Sequence, residues 1–165
     1  MSAHNRILIA DDHTLVREGL RALLLTNPDL EIVGEAENGR DAIDRTGNFA
    51  PDLVLMDLSM PGMNGIEAIS EIKARYPKVK ILVLTVHTNE EYIHACIRNG
   101  ANGYIVKDAT REQFMGAIHE VLLGHTHLCS AATEKVIGWY MNSAKAAEPV
   151  SPWGSLTHRE RQILK

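Results

Sequence analysis

The chain alternates short apolar runs with helix-type patterns five times before about residue 124. Such alternation is typical of βα units, in which the strands form a parallel sheet and helices cover both of its faces. Four of the runs are continuously apolar, as strands that are buried on both faces must be. The mixed run contains Gly34 and Glu35, and we place it at an edge of the sheet. The predicted strands are Ile7–Ala10, Ile32–Ala36, Leu53–Met56, Ile81–Leu84 and Tyr104–Val106.

Helix-type spacing fills the segments between these strands. Apolar residues recur three and four positions apart along 16–24 and 114–122, which predicts helices that pack one face on the sheet. Helix starts are marked by capping boxes, in which a side-chain oxygen and a Glu or Gln three residues later satisfy two free backbone amides. The helix around Ala42 and Ile43 has the weakest pattern. The capping pairs are Asn64 with Glu67, Thr88 with Glu91, Thr110 with Gln113 and Thr157 with Glu160.

These elements predict an α/β fold with a C-terminal helical linker. Its core is a doubly wound, five-stranded parallel sheet in the order 2-1-3-4-5, which is the flavodoxin-like order. We assign residues 1–124 to this domain and 125–154 to a linker with one helix at about Ser130–Met141. The stretch "NSAKAAEPVSPWGS" in that linker is rich in Ala, Ser and Pro, which favours flexibility. Residues 155–165 begin another helix.

Composition excludes several classes of protein. No apolar run is long enough to span a membrane and the N-terminus has no signal-peptide pattern, so we expect a cytoplasmic protein. A net charge of −4 gives no basic footprint for nucleic acid. Cys96 and Cys129 are too few for a disulfide framework, and Cys96 occupies an apolar helix position where a buried, inert thiol is expected.

Polar residues stand at the carboxyl ends of four predicted strands. Asp11 and Asp12 follow the first strand, Asp57 the third, Thr85 the fourth and Lys107 the fifth. The predicted strand order places these four strands side by side, so their ends converge on one rim, where ligands bind in open parallel sheets. Each residue alone has an ordinary reading, since Asp caps helices and Thr ends strands. Their coincidence at one rim favours a functional site.

Three carboxylates at this rim would repel one another unless a cation lies among them. An oxygen-rich set without His or Cys favours Mg²⁺, which commonly binds carboxylates together with a phosphate oxygen. We therefore expect phosphoryl chemistry. Asp57, between its partners in the sheet, is the predicted nucleophile. Lys107 would neutralise one phosphoryl oxygen, and the Thr85 hydroxyl would donate to another.

The sequence resembles the receiver domain of two-component response regulators, which have a CheY-like fold. The resemblance covers about residues 6–124 and is carried by "ILIADDH", "DLVLMDLSMPGMNG", "ILVLT" and "GYIVK". It implies that Asp57 accepts a phosphoryl group from a phosphohistidine on a sensor histidine kinase. It also implies that Asp12, Asp57 and the main-chain carbonyl of Ser59 hold Mg²⁺, with Asp11 nearby.

The resemblance implies further roles around Asp57. Thr85 would move toward the phosphoryl group and Tyr104 would turn inward behind it, which is a two-state switch set by one local charge. Tyr104 otherwise reads as an aromatic at a strand start with its hydroxyl in water. Ser59 and His87 would adjust phosphoryl lifetime, although His87 also reads as a solvated loop residue. Asp108 stands where many receivers have proline, so we do not expect a cis peptide there.

The segment "LTHRERQILK" resembles the opening of a LuxR-type helix-turn-helix domain, which makes the whole similar to a NarL/FixJ-type transcription regulator. Such domains need about 60 residues, so we expect this chain to lack a recognition helix and to have no specific DNA binding of its own. Promoter DNA would be bound only through a full-length C-terminal domain. A homodimer through a helical face is compatible with the sequence, which does not indicate the helices involved.

We expect a signalling switch and not a metabolic enzyme, but other classes share parts of the pattern. A haloacid-dehalogenase-type phosphatase also uses a strand-end aspartate and Mg²⁺, yet it needs a second aspartate where Ser59 stands. A flavin-binding module shares the strand order, yet Asp11-Asp12-His13 stands where a phosphate-binding loop is needed. A stand-alone receiver acting as a protein-interaction module is the third alternative.

Overall fold

A computed structural model describes residues 4–146. These residues form twelve elements, in which helices follow strands in strict alternation. None of the helices in this described part is both long and apolar enough to cross a lipid bilayer. The strands are β1 (Asn5–Ala10), β2 (Leu30–Ala36), β3 (Leu53–Met56), β4 (Lys80–Thr85), β5 (Gly103–Val106) and β6 (His127–Leu128). The helices are α1 (Thr14–Leu24), α2 (Gly39–Phe49), α3 (Gly65–Arg75), α4 (Glu90–Arg98), α5 (Arg111–Leu122) and α6 (Ser130–Ala146).

All described strands form one parallel sheet in the order β2-β1-β3-β4-β5-β6. The predicted order is confirmed for the first five strands, and β2 lies at the predicted edge. The predicted number of strands is wrong, because β6 pairs with β5, with Gly103 opposite His127. A Cβ atom at Gly103 would lie 2.9 Å from the His127 carbonyl oxygen, so glycine permits this close pairing.

Apolar side chains of adjacent strand residues pack on opposite faces of the sheet. Ile7 and Ile9 face α1 and α5, whose predicted apolar residues Leu24 and Phe114 are buried there. Leu8 belongs to the cluster on the other face, together with residues of α2, α3, α4 and α6. Both faces of the sheet are therefore covered, which explains the continuously apolar strands.

Cys96 lies on α4 within the second apolar cluster and is fully buried. Burial raises the pKa of its thiol to about 12, so the thiol stays protonated at neutral pH. The prediction of a buried, inert cysteine is confirmed.

The predicted helix starts have different outcomes. Thr110 forms a complete capping box with Gln113 at the start of α5. Asn64 caps α3, because its side chain accepts a hydrogen bond from the Glu67 amide. The prediction for Thr88 is wrong, because Asn89 is the extended residue before α4, and no side chain caps this end. The proposed Thr157 cap, like the segment "LTHRERQILK", lies outside the described residues.

The predicted C-terminal helix is present as α6 and extends to Ala146. It packs against α4 through an aromatic contact, in which the rings of His94 and Trp139 have centroids 3.9 Å apart. Ala132, near the start of α6, is fully buried in the cluster on this side of the sheet. The first part of the predicted linker is therefore docked on the α/β core.

Candidate functional site

The polar residues at the carboxyl ends of the strands converge as the strand order predicts. Asp11 and Asp57 follow β1 and β3, and they are 2% and 3% exposed. Thr85 is the last residue of β4 and is fully buried. Lys107, which follows β5, reaches across this edge toward both carboxylates. The structure thus places an acidic cluster, a cation and a buried hydroxyl on one rim.

The acidic cluster contains three carboxylates and one imidazole. Oxygens of Asp11, Asp12 and Asp57 and a ring nitrogen of His13 all lie within 4.8 Å of one another. His13 Nδ1 lies 3.1 Å from Asp11 Oδ1 and 3.0 Å from Asp12 Oδ1. The expectation of an oxygen-rich set without histidine is therefore wrong, because the turn after β1 brings His13 back onto its two neighbours. Its position directly after Asp12 was the available sequence signal.

Lys107, which follows β5, brings its ammonium group to this cluster from three strands away from β1. Its Nζ lies 2.8 Å from Asp11 Oδ2 and 3.6 Å from Asp57 Oδ2. The first distance is a charge-assisted hydrogen bond, whereas the second is an electrostatic contact only. The ammonium therefore neutralises Asp11 more directly than Asp57.

The two carboxylate oxygens of Asp57 have different surroundings. Oδ1 accepts a hydrogen bond of 2.9 Å from the Leu58 amide. Oδ2 is buried and has no hydrogen-bond partner among the described residues. Burial raises the pKa of Asp57, and the Asp11 carboxylate raises it further, while Lys107 and the amides of Leu58 and Ser59 act in the opposite direction. The negative charge of the Asp57 carboxylate is therefore only partly compensated by the protein.

The donor set is suitable for a hard divalent cation. Asp12 Oδ1 is the second buried carboxylate oxygen of this cluster that accepts no hydrogen bond from the described residues, and His13 Nδ1 lies 3.0 Å from it. Two such oxygens cost free energy unless a cation binds them. Mg²⁺ prefers carboxylate oxygens and keeps several of its waters. Asp11, Asp12 and Asp57 therefore suit Mg²⁺, and the role of the Ser59 carbonyl stays a prediction.

Thr85 and Tyr104 both contact the main chain of His87. The Thr85 hydroxyl accepts a hydrogen bond of 3.3 Å from the His87 amide. The Tyr104 ring is fully buried, and its hydroxyl donates a hydrogen bond of 2.7 Å to the His87 carbonyl. The reading of Tyr104 as an aromatic with its hydroxyl in water is therefore wrong. Burial also raises the pKa of this hydroxyl, so it remains a donor at neutral pH.

Ser59 and His87 contact each other directly. The Ser59 hydroxyl lies 2.5 Å from His87 Nε2, which joins the loop after β3 to the loop after β4. The imidazole stacks on Tyr92 of α4, with ring centroids 4.6 Å apart and an interplanar angle of 21°. His87 is therefore half-buried in its loop and held on two sides.

The loop "MPGMNG" approaches the backbone of Asp57 at its far end. A Cβ atom at Gly65 would lie 2.2 Å from the Asp57 carbonyl oxygen and 2.8 Å from Leu58 Cα. Gly62 has a φ of +70°, a conformation that glycine adopts without strain. The peptide bonds of the described residues, including Lys107–Asp108, are trans, as expected for a bond without proline.

A flavodoxin-like sheet with acidic residues, a threonine and a lysine at the ends of β1, β3, β4 and β5 defines the class of receiver domains. A family profile described as "Response regulator receiver domain" matches residues 7–119. The chain is 39% identical over 162 residues to the oxygen regulatory protein NreC of Staphylococcus aureus, covering 96% of this chain and 75% of that protein. The chain therefore belongs to the response regulators of two-component systems.

Solved structures agree with this assignment. A LuxR-family two-component response regulator from Aurantimonas sp. SI85-9A1 has a TM-score of 0.79 at 30% identity, covering 84% of this chain and 99% of its own. The receiver domain of RcsB from Salmonella enterica serovar Typhimurium, in the presence of the phosphomimetic BeF3⁻, has a TM-score of 0.74 at 27% identity. That match covers 80% of this chain and 98% of the RcsB domain. RcsB also matches as two dimers bound to two parallel DNAs, with a TM-score of 0.74 at 27% identity, covering 80% of this chain and 67% of RcsB.

Proposed function

We propose that Asp57 is the phosphoacceptor of this response regulator and that its donor is the phosphohistidine of a sensor histidine kinase. The observation that carries the proposal is the state of the Asp57 carboxylate. It is 3% exposed, and its Oδ2 has no hydrogen-bond partner among the described residues and lies 3.6 Å from the Lys107 ammonium. A buried, incompletely compensated carboxylate next to a cation is suited to attack a phosphorus atom.

Transfer is a substitution at phosphorus. A bond forms between an Asp57 carboxylate oxygen and phosphorus, while the bond between phosphorus and the donor imidazole nitrogen breaks and its electron pair returns to the imidazole. Lys107 faces the negative charge that accumulates on the phosphoryl oxygens. The product is an acyl phosphate on Asp57, and water attack on its phosphorus resets the chain without a separate substrate. The protein is thus a switch that assists its own chemistry and not a metabolic enzyme.

Mg²⁺ would be held by Asp11, Asp12 and Asp57, together with the main-chain carbonyl of Ser59. Bound there, it supplies positive charge to the transferring phosphoryl group. The carboxylates of Asp11 and Asp12 would hold and orient the cation, while the Leu58 amide fixes Oδ1 of Asp57.

The response to phosphorylation would start at Thr85. A phosphoryl group on Asp57 offers new acceptor oxygens, and donation by the Thr85 hydroxyl would pull the end of β4 toward them. The His87 main chain, which contacts both Thr85 and Tyr104, would carry this movement to the Tyr104 ring. Ser59 and His87 would set how easily water reaches the acyl phosphate.

The downstream output proposed for this cytoplasmic protein is control of transcription through a LuxR-type helix-turn-helix domain. Lys and Arg number 17 against 21 Asp and Glu, so this 165-residue chain offers no basic excess for DNA. We expect it to give no sequence-specific gel shift. A homodimer is the proposed DNA-binding form, supported by the RcsB dimers on DNA.

Incubation with acetyl [³²P]phosphate and Mg²⁺ tests the phosphoacceptor. We expect one acyl phosphate per chain, labile in strong acid and in alkali, in wild type and none in Asp57→Ala. Asp44→Ala, an exposed carboxylate on α2, is the matched control and should label like wild type. Labelling that survives in Asp57→Ala would assign the phosphoryl group elsewhere. Phosphotransfer from each histidine kinase of the source cell then identifies the physiological donor.

A further inference from the structure

Arg17, on α1, is a buried cation outside the acidic cluster. The residue is 7% exposed, and its guanidinium contacts three other parts of the chain. Nη1 donates a hydrogen bond of 2.6 Å to the Asp11 carbonyl oxygen. Nε donates a hydrogen bond of 3.1 Å to the carboxylate of Glu35 on β2, and Nη2 donates one of 3.2 Å to the carboxylate of Glu37 beyond the end of β2. Burial of this charge is tolerated because each side of the planar fork has an acceptor.

The contact between Arg17 and the Asp11 carbonyl lies in the turn after β1 that carries Asp11 and Asp12, which we call the acidic turn. The Asp11 amide donates a hydrogen bond of 3.0 Å to the Ala36 carbonyl, so β2 holds Asp11 at its nitrogen and Arg17 holds it at its carbonyl. At the start of α1 the His13 side chain makes no capping hydrogen bond, and the Asp11 carboxylate accepts a hydrogen bond of 2.9 Å from the His13 amide. Arg17 therefore holds the carbonyl of the peptide unit between Asp11 and Asp12, while the Asp11 carboxylate holds the amide of His13.

We propose that Arg17 is a positioning residue for the divalent-cation site, acting through the Asp11 carbonyl without touching the cation. Mg²⁺ requires nearly ideal octahedral geometry, so the directions of the Asp11 and Asp12 carboxylates determine its affinity. Glu35 on β2 and Glu37 beyond its end orient the guanidinium of Arg17. The guanidinium in turn orients the turn after β1, through the Asp11 carbonyl. The inference rests on the proposed Mg²⁺ site and adds a residue that determines its affinity.

Arg21 provides the matched control, because it binds the same glutamate from the same helix. Its guanidinium pairs with Glu35, and its side chain is 45% exposed. Its described hydrogen bonds do not include the Asp11 carbonyl. A substitution of Arg21 therefore disturbs the Glu35 pair but leaves the acidic turn anchored.

The test is titration of the full 165-residue chain with Mg²⁺ alone, by isothermal calorimetry, for wild type, Arg17→Lys and Arg21→Lys. Lysine keeps the charge but cannot reach the carbonyl and both glutamates with one planar fork. We expect Arg17→Lys to weaken Mg²⁺ binding about tenfold, at the lower end of the range found for residues that orient metal ligands. Arg21→Lys should stay within about twofold of wild type. Wild-type Mg²⁺ affinity in a folded Arg17→Lys chain would overturn the proposal.

A kinetic readout separates positioning from general loss of structure. With acetyl phosphate as donor, Arg17→Lys should need more Mg²⁺ for half-maximal labelling but reach nearly the wild-type rate at saturating Mg²⁺. A lowered maximal rate with an unchanged Mg²⁺ requirement would also overturn the proposal. If Arg17→Lys does not fold, Glu37→Gln decides, because Glu37 is 68% exposed and its loss spares the core. It should weaken Mg²⁺ binding, and unchanged affinity would refute the inference.

Failure of the proposed function itself would look different. A wild-type chain that does not bind Mg²⁺ would refute the metal site, and with it this inference. A wild-type chain that binds Mg²⁺ but is not labelled on Asp57 would refute the phosphoacceptor role. In that case the effect of Arg17→Lys on Mg²⁺ affinity would still be measurable.

Discussion

The ammonium of Lys107 lies 2.8 Å from Oδ2 of Asp11, so the cation that follows β5 is paired with the carboxylate that follows β1. Two strands, β3 and β4, lie between them in the sheet. This pair crosses the site in front of Asp57, whose Oδ2 is 3.6 Å from the same ammonium. Lys107 thus compensates two buried carboxylates, and a phosphoryl group on Asp57 would compete with Asp11 for it.

Replacing Lys107 with Met should destabilise the chain, because it leaves the buried Asp11 carboxylate without its hydrogen-bonded cation. We expect the free energy of unfolding in EDTA to fall by about 2–4 kcal/mol. Added Mg²⁺ should recover part of this loss, since a bound cation replaces the missing charge. Urea denaturation with and without Mg²⁺ measures both effects.

Lys78→Met is the control for this substitution, because Lys78 is exposed and precedes β4, at the amino ends of the strands and away from the site. Its effect should stay within about 0.5 kcal/mol. Equal losses in the two variants would show that Lys107 acts through general surface charge.

The raised pKa of Asp57 predicts a pH-dependent effect of Asp57→Asn. Burial and the Asp11 carboxylate raise this pKa above its unfolded value, so folding favours the protonated carboxyl. The ionised carboxyl therefore destabilises the fold above its folded pKa, and this cost disappears as the pH falls below the unfolded value of about 3.9. In EDTA, Asp57→Asn should be more stable than wild type at pH 7.

The gain should shrink toward zero as the pH is lowered through 4, with Tm shifting by about 2–4 °C for each kcal/mol. Thermal unfolding followed by circular dichroism over this pH range measures it. Asp44→Asn, at an exposed position on α2, should leave Tm almost unchanged throughout. A gain in Asp57→Asn that does not depend on pH would contradict the electrostatic explanation.

Gly65→Ala should distort the loop after Asp57. The new methyl group would lie 2.2 Å from the Asp57 carbonyl oxygen, so the main chain must move, at a cost of about 1–3 kcal/mol. Gly116→Ala on α5 is the matched control, because no heavy atom lies within 4 Å of its added Cβ. It should stabilise the helix by about 0.5–1 kcal/mol. Opposite signs in urea denaturation confirm that close approach to Asp57 requires Gly65.

The hydrogen bond between Ser59 and His87 predicts coupled effects on the lifetime of the acyl phosphate. Removing either partner should open the path of water to Asp57, so Ser59→Ala and His87→Ala should each lose the phosphoryl group several times faster. The double variant should be little faster than either single one, because both changes remove the same 2.5 Å contact. Loss of ³²P from the purified, labelled chain gives the rates. Rates that multiply would show that the two residues act independently.

The sequence was sufficient for the first five strands of the sheet and for the residues at the rim. Continuous apolar runs predict the buried strands, and the polar residues that end them predict the rim. Both are local patterns that a single sequence shows directly. The polar residues are Asp11, Asp57, Thr85 and Lys107. The strand β6 was missed because two residues, His127 and Leu128, are too short for any period to show. The helix α4 begins one residue late for the predicted cap because the main chain stays extended through Asn89.

Long-range contacts account for what the sequence could not predict about the site. Arg17 follows Val16 on α1 and has the appearance of a solvated helix residue until β2 supplies Glu35 and the turn supplies Glu37. The contact between Ser59 and His87 joins two loops 28 residues apart. Such contacts depend on where the loops after neighbouring strands lie in space. A single sequence has no local pattern that predicts this.

Docking of α6 on α4 predicts that Trp139 contributes to the stability of the receiver domain. Its ring contacts His94, which lies two residues beyond Tyr92, the residue that stacks on His87 beside the site. Trp139→Ala should therefore lower the free energy of unfolding by about 1–2 kcal/mol, less than for a fully buried Trp because this side chain is half-buried. Tyr140→Ala, at a neighbouring position that is 70% exposed, should change it by less than about 0.5 kcal/mol. If the two variants unfold at the same urea concentration, α6 does not stabilise the core. If only Trp139→Ala is destabilised, the contact between α4 and α6 stabilises the domain.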